Sequence, residues 1–138
     1  MDKNALIEFT RDIIRIRSLS GEEGLVVERI LQEMKQLGYD EVWMDQAGNA
    51  LGLIQGFKPG KCILLDAHVD TVTANPVDWD SDPWAAEIRE GRIYGRGCAD
   101  TKGNLAAMLY AAAHVNRENL FGSILVCGSV HEEVMEGG

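Results

Sequence analysis

The chain opens with two segments in which apolar residues recur at helical spacing. Residues 6–16 and residues 26–37 place apolar side chains three or four positions apart, with charged residues between them. Both patterns predict amphipathic helices. Gly38 predicts the end of the second helix, and the motif Ser20-x-x-Glu23 predicts a capping box at its beginning. We expect both helices to cover a sheet.

Short apolar runs further along the chain predict β-strands. The predicted strands cover residues 42–44, 50–54, 61–68, 86–88, 92–94 and 123–130. The runs at 61–68 and 123–130 lack polar alternation, which is typical of strands buried on both faces, so we expect Cys62 and Cys127 within them to be core residues. An alanine-rich helix over residues 105–115 separates the two runs. The order strand, helix, strand predicts parallel neighbours in an α/β sheet.

Composition narrows the class of protein. The 138 residues suit a single domain, and contents of 46% hydrophobic and 25% charged residues are ordinary for a globular protein. The net charge of -9 argues against nucleic-acid binding, which needs a basic surface. The three cysteines form no C-x-x-C pair, residues 1–4 do not resemble a signal peptide, and no apolar run reaches membrane-spanning length. We therefore expect a cytoplasmic protein that binds no membrane.

Three clusters of histidine and acidic residues lie where apolar runs stop. They are His68-Val69-Asp70, Asp100-Thr101-Lys102-Gly103 and His131-Glu132-Glu133, and the intervals from His68 to Asp100 and from Asp100 to Glu133 are 32 and 33 residues. Each interval is long enough for one supersecondary unit. Because sites in open α/β sheets form at the carboxyl ends of strands, we expect the clusters to converge at one sheet edge. One imidazole and several carboxylates predict a divalent-metal site that also holds a general base.

Each cluster also allows a plainer interpretation. Asp100 could be the N-cap of the following helix, or its two oxygens could bridge two metal ions. Glu132 and Glu133 could be a solvated pair, or one could bind a metal while the other faces a substrate water. Asp70 could be a helix-capping or loop residue beside a histidine on the surface. Alternatively, because His68 and Asp70 point to the same side of an extended segment, Asp70 could accept the second imidazole N–H and fix the tautomer of His68.

Four segments of the chain resemble a known family. Residues 66–72, residues 79–84, residues 91–103 and the pair Glu132-Glu133 are similar, in consistent order, to the co-catalytic zinc peptidases. This family includes aminoacylase, acetylornithine deacetylase, succinyl-diaminopimelate desuccinylase and carboxypeptidase G. The stretch from Gly95 to Gly103 is highly specific. The resemblance implies a three-layer α/β/α fold with a largely parallel mixed sheet, and a metal-dependent hydrolase of amide bonds.

The resemblance also implies a role for each candidate site residue. His68 would bind one metal ion, Asp100 would bridge two ions, and Glu133 would bind the other. Asp70 would orient His68, and Glu132 would be the general base. The peptide bond directly after Asp100 would be cis. The substrate would be an N-acyl amino acid or a small peptide. The two divalent ions would be zinc, although mixed carboxylate and imidazole ligands also accept cobalt and manganese.

Members of that family continue well past the Glu-Glu pair. They supply a further acidic ligand, a lid domain and a late histidine ligand, none of which lies in 138 residues. We therefore expect residues 1–138 to be the N-terminal portion of the catalytic domain of a longer enzyme, with the lid domain and the C-terminal portion absent. The alternative is an inactive fragment or a non-catalytic metal-binding module that self-associates through exposed strand edges.

Overall fold

A computed structural model of the chain describes residues 1–134. Its helices and strands, in chain order, are α1 Lys3–Arg15, α2 Gly24–Gln36, β1 Glu41–Met44, β2 Ala50–Gln55, β3 Lys58–His68, β4 Glu87–Arg89, β5 Arg92–Tyr94, α3 Gly103–Ala113 and β6 Phe121–Ser129. Every predicted helix and strand is present, with bounds that differ by a few residues. Residues 135–138 of the expected domain lie outside the described part. No helix in residues 1–134 has both the length and the apolar character needed to cross a membrane.

Four strands form the main sheet in the order β1-β2-β6-β3. β3 and β6 are parallel, and α3 lies on the crossover between them, as the order strand, helix, strand predicts. The pairs β1–β2 and β2–β6 are antiparallel. The α/β class and the mixed sheet are therefore confirmed, although only one of the three pairings in the described part of this sheet is parallel. β4 and β5 form a separate hairpin, with Glu90 and Gly91 at positive φ in its turn.

The helices cover one face of the main sheet. A Cβ added at Gly52 would meet Met34 of α2, and one added at Gly128 would meet Leu105 of α3. Gly52 pairs with Val126, two residues from Gly128, so both glycines face the same side of the sheet. α1 packs on both of the other helices. The core under these helices contains the buried side chains of Phe9, Ile13, Val27, Ile30, Ile54, Leu109 and Val126.

The opposite face of the sheet carries apolar side chains that no described helix covers. This uncovered sheet face consists of residues in register across the four strands: Trp43, Leu51, Leu53, Leu125 and Leu64. Trp43 is 38% exposed and Leu64 is 59% exposed. A second helical layer, which the three-layer arrangement requires, is therefore not among residues 1–134.

β3 is the exposed edge of the sheet, so its predicted burial on both faces is wrong. It pairs only with β6 among the described strands, and most of its residues before Ala67 are exposed. Cys62 is exposed with them, contrary to its predicted core position, whereas Cys127 on β6 is buried as predicted. The physical reason is that the burial of a strand depends on its neighbours in the sheet. Residues 1–134 supply a neighbour on one side of β3 only.

The predicted capping box of α2 is also wrong. α2 begins at Gly24, and the side chain of its N-cap residue, Glu23, makes no capping hydrogen bond. Ser20 and Glu23 bond instead to segments that are distant in sequence. The end of α2 is as predicted, because Gly38 follows it with a φ of 77°.

Candidate metal centre

The carboxyl ends of β3 and β6 lie side by side and carry two of the three clusters. His68 at the end of β3 is in register with Ser129 at the end of β6. The Val69 N–H continues the ladder to the Ser129 carbonyl at 2.8 Å. Past β6 the chain turns at His131, which has a φ of 62°, and Glu132 Oε2 comes to 3.7 Å from His68 Nε2. The parallel pairing therefore brings the first and third clusters to one edge.

His68 is buried, and both of its ring nitrogens face oxygen acceptors. Nδ1 lies 2.9 Å from the carbonyl oxygen of Asp70, and Nε2 lies 3.1 Å from Asp100 Oδ1. Burial alone would lower the pKa of His68, but the hydrogen bonds to Asp100 and Asp70, together with the negative charges of Glu132 and Asp70, outweigh it and raise the pKa above its ordinary value. Because Nδ1–H can donate to the Asp70 carbonyl, Nε2 is the nitrogen that is available to a metal ion.

Asp70 holds the Glu132-Glu133 segment. Its fully buried carboxylate accepts hydrogen bonds from Ser20 Oγ at 2.6 Å, from the Glu132 N–H at 3.2 Å and from the Glu133 N–H at 2.9 Å. His68 Nδ1 is 3.5 Å from this carboxylate, so the closer contact of the ring is with the backbone carbonyl of Asp70. Burial alone would raise the pKa of Asp70, but these hydrogen bonds lower it below its usual range.

Asp100 lies in a single turn, Cys98–Lys102, that precedes α3. The N-cap residue of α3 is Lys102, so the interpretation of Asp100 as the helix cap is wrong. The Asp100 side chain is 82% exposed and directs Oδ1 toward Nε2 of His68. The Asp100–Thr101 peptide bond is cis, as the resemblance implies. The turn thus presents the carboxylate of Asp100 to the imidazole.

The candidate ligands form a group that fits divalent metal ions. His68, Glu132 and Glu133 each place one potential metal-ligating atom within 4.8 Å of those of the other two. Asp100 contacts Nε2 of the His68 imidazole. Imidazole and carboxylate groups are the ligands that zinc and related ions take in hydrolases. An open pocket lined by His68, Asp100, Glu132 and Asn104 leaves room for a substrate. The structure therefore brings together His68, Asp100, Glu132 and Glu133. Asp70 is buried behind them.

Three polar residues before α2 support this centre, and sequence reasoning did not identify them. Ser18 donates its hydroxyl to the Val69 carbonyl at 2.7 Å, and Ser20 donates to the buried carboxylate behind the ligands. Glu23 accepts from the His131 N–H at 3.1 Å. The sequence signal for two of them is the Ser20-x-x-Glu23 pattern, which fits a capping box equally well.

Lys102, a member of the second cluster, is a fourth supporting residue, and sequence reasoning gave it no role of its own. Its side chain is fully buried, and the ammonium donates hydrogen bonds of 2.8 Å to the carbonyl oxygens of Ile13 and Ile16. Burial lowers the pKa of Lys102 to about 8, and the negative charge of Asp70 opposes that shift. Lysine is rarely buried in proteins, so nothing in the sequence marks this one as internal.

The chain is similar in sequence to a peptidase family and to individual bacterial proteins. Residues 64–138, more than half of the chain, match Peptidase family M20/M25/M40. The protein YgeY of Escherichia coli K12 is 39% identical over 135 residues, which cover 96% of this chain and 33% of YgeY. Succinyl-diaminopimelate desuccinylase of Methylococcus capsulatus is 31% identical over 106 residues, which cover 76% of this chain and 28% of that enzyme. The chain thus spans about a third of the length of these relatives.

Solved structures share the fold. Sso-CP2 from Sulfolobus solfataricus, an M20 family metallo-carboxypeptidase, aligns with a TM-score of 0.74 at 25% identity, over 94% of this chain and 31% of that one. The YxeP protein of Bacillus subtilis, a dinuclear metal-binding M20 peptidase, aligns with a TM-score of 0.73 at 18% identity, over 95% of this chain and 36% of that one. The mixed sheet with its helices is therefore a fold that these peptidases contain.

Proposed function

Because the chain belongs to Peptidase family M20/M25/M40, we propose that it forms part of the catalytic centre of a metal-dependent hydrolase of amide bonds. The convergence of His68, Asp100, Glu132 and Glu133 beside the parallel strands β3 and β6 carries this proposal. In it, His68 would hold one divalent ion, Glu133 would hold a second, and Asp100 would be a ligand of both. The ligand set supports zinc, and it also suits cobalt or manganese.

Glu132 is the proposed general base of the reaction. Divalent ions held by the neighbouring ligands would polarise the substrate carbonyl and lower the pKa of a water molecule. Glu132 is 59% exposed, and its Oε2 lies 3.7 Å from His68 Nε2 at the pocket, so it can reach a water there. Its carboxylate accepts a proton from that water as the water oxygen forms a bond to the carbonyl carbon. It then donates the proton to the amide nitrogen as the carbon–nitrogen bond breaks, which releases an amine and a carboxylic acid. Asp70 fixes the backbone of Glu132.

Metal titration of the chain tests the ligand assignment. We expect His68→Ala and Asp100→Ala each to weaken Zn²⁺ binding by about tenfold or more, because each removes one ligand. His114→Ala is the matched control, since His114 bonds to the Tyr110 carbonyl on α3 and lies outside the centre. Competition with a chromophoric chelator measures the affinity, and Co²⁺ and Mn²⁺ are compared in the same way. Wild-type affinity in either ligand variant would contradict the assignment.

The proposed substrate is an N-acyl amino acid or a small peptide. The names of the similar proteins support this class, because they include a desuccinylase and a metallo-carboxypeptidase. For the 138-residue chain alone we propose little or no turnover, since His68, Asp100 and Glu133 together offer few ligands for two ions. A panel of N-acetyl amino acids and dipeptides with Zn²⁺ tests this. Appreciable turnover that disappears in Glu132→Ala would show that the chain is active by itself.

A second candidate role, self-association, is favoured by the uncovered sheet face and by the free edge of β3. Exposed strand edges and apolar patches promote pairing with another chain, and Leu64 belongs to both features. We propose that two or more copies associate there. Light scattering at increasing concentration should show oligomers that Leu64→Glu abolishes. Val77→Glu is the control, because Val77 is 83% exposed on a short turn that belongs to neither the main sheet nor β3. A monomeric wild-type chain at high concentration would contradict this role.

A further inference from the structure

A buried lysine joins the end of α1 to the turn that carries Asp100. Lys102 Nζ donates to the carbonyl oxygens of Ile13 and Ile16 at 2.8 Å each, and its side chain is 0% exposed. Carbonyls in the last turn of a helix have no partner within the helix, and the helix dipole favours a cation beside them. Because a buried ammonium without hydrogen bonds is costly, these two contacts fix where the lysine head group lies.

The backbone of this turn is held as well. The Lys102 N–H donates to the Gly97 carbonyl at 2.9 Å. Gly97 has a φ of 80°, and a Cβ there would lie 2.7 Å from Thr71 Cγ2 and 3.4 Å from Lys102 Cδ, so the packing is tight around both residues. Only Thr101 stands between Lys102 and Asp100. A displacement of the lysine would therefore move the backbone of Asp100.

The carboxylate of Asp100 has little else to position it. It is 82% exposed, and His68 Nε2 is its one hydrogen-bond partner among residues 1–134. Asp70, by contrast, is fully buried and accepts three hydrogen bonds. The position of the Asp100 carboxylate must therefore be set by the backbone of Asp100, and Lys102 anchors that backbone.

We propose that Lys102 is a positioning residue of the metal centre, which fixes Asp100 relative to His68 by holding the carbonyl groups at the end of α1. This role rests on the proposed function in treating Asp100 as a metal ligand. Lys102 touches neither the substrate nor the ions. It acts through the turn, and the positive charge and reach of its side chain are both required.

Lys102→Met tests this role, because methionine keeps most of the length of the side chain and removes the ammonium. Met34→Ala is the matched control, since it empties a fully buried position on α2 and lowers folding stability without touching the turn. Co²⁺ is the probe, because its visible spectrum reports ligand geometry. We expect Lys102→Met to lower Co²⁺ affinity about tenfold or more and to give the spectrum of Asp100→Ala. Met34→Ala should keep the wild-type affinity and spectrum.

Two results of this titration would overturn the role. One is a folded Lys102→Met with the affinity and spectrum of the wild type. The other is an equal loss in Met34→Ala at the same loss of unfolding free energy, because metal binding would then follow stability alone. If Lys102→Met does not fold, Lys102→Arg replaces it. We expect the longer, planar guanidinium to keep the fold and to weaken Co²⁺ binding about threefold or more, and a folded Lys102→Arg with wild-type affinity would overturn the role.

A metal-free measurement separates this role from the proposed function. The ¹⁵N chemical shift of His68 Nε2 reports its contact with Asp100 in the absence of any ion. We expect Lys102→Met to move this shift to the value seen in Asp100→Ala, while Met34→Ala leaves it unchanged. This outcome supports the positioning role even if the wild-type chain binds no metal, a result that would refute the proposed function alone. An unchanged shift in Lys102→Met would overturn the role.

Discussion

Replacing Asp70 by asparagine tests whether its buried carboxylate supports the candidate metal centre. Asparagine has the same shape but keeps only one acceptor oxygen, and its amide nitrogen cannot accept a hydrogen bond. Oδ1 of Asp70 accepts from the Glu132 N–H, and Oδ2 accepts from the Glu133 N–H and from Ser20. At least one backbone N–H therefore loses its partner, and the negative charge that strengthens the remaining bonds is removed.

The structure sets the size of the expected effect. A hydrogen bond to a charged group contributes about 1.5–3 kcal/mol, and a buried donor without a partner costs about 1–3 kcal/mol. Since asparagine keeps one acceptor, we expect Asp70→Asn to lower the free energy of unfolding by about 2–3 kcal/mol. Changes to groups that orient ligands weaken metal binding by about 10–100-fold, which equals about 1.4–2.7 kcal/mol. Ser20→Ala removes one bond and leaves the carboxylate, so it should cost about 1 kcal/mol of stability.

Two measurements on each variant separate an effect on folding stability from an effect on metal binding. Urea unfolding of the metal-free chain gives the free energy of unfolding, and chelator competition gives the Zn²⁺ affinity. We expect both to fall in the order wild type, Ser20→Ala, Asp70→Asn. If Asp70→Asn is destabilised but binds Zn²⁺ as tightly as the wild type, then Asp70 supports the fold and does not organise the ligands.

Three further predictions concern pH and packing. The raised pKa of His68 predicts that the unfolding free energy of the metal-free chain is highest below a pH of about 6.5, which is the pKa of histidine in the unfolded chain, and falls as pH rises through the pKa of His68 in the folded chain. Urea titrations over a range of pH should show that His68→Gln removes this pH dependence. The pKa of Asp40 is lowered, because hydrogen bonds from a backbone N–H and an arginine outweigh the effect of burial. This predicts a contribution to stability that is present above a pH of about 3.8 and is lost as pH falls through the pKa of Asp40 in the folded chain. Asp40→Asn should therefore cost at most about 1 kcal/mol at neutral pH and nothing in strong acid, and a constant difference would contradict this. Gly52→Ala should cost about 1–3 kcal/mol by thermal unfolding, because its Cβ would lie 2.6 Å from both Met34 and Tyr39; unchanged stability would show that the core yields there.

Local patterns were sufficient to predict most of the fold. The helical spacing of apolar residues gave α1 and α2 because burial on one face is a local requirement. Glu90 and Gly91 marked the hairpin because its turn needs positive φ. The convergence of the three clusters followed from a general rule of α/β sheets, and the structure places His68 beside Asp100 and Glu132.

Features that depend on distant partners could not be read from the sequence. The apolar run of β3 indicated burial, but burial depends on which strands and helices surround β3, and no local signal encodes that. Ser20 and Glu23 have the spacing of a capping box, and only the folded chain shows that they bond to Asp70 and His131. The role of Lys102 was missed for the same reason, because its partners are two carbonyl groups at the end of α1, 86 and 89 residues away.

The candidate metal centre is held together from one segment, and this would couple metal binding to folding. The end of α1 and the connection to α2 supply a contact to each of the three clusters: Ile13 and Ile16 to Lys102, Ser20 to Asp70, and Glu23 to His131. These contacts span 50 to 108 residues of sequence, so the entropy cost of closing such loops is met only when the core has formed. The unfolded chain therefore has no arranged ligands, and an ion that binds the native state alone adds stability. At an ion concentration of about 100 times Kd the gain should be about 2.7 kcal/mol. An unfolding free energy that does not change with added Zn²⁺, in a chain that binds Zn²⁺ tightly, would mean that the ligands act without the folded core.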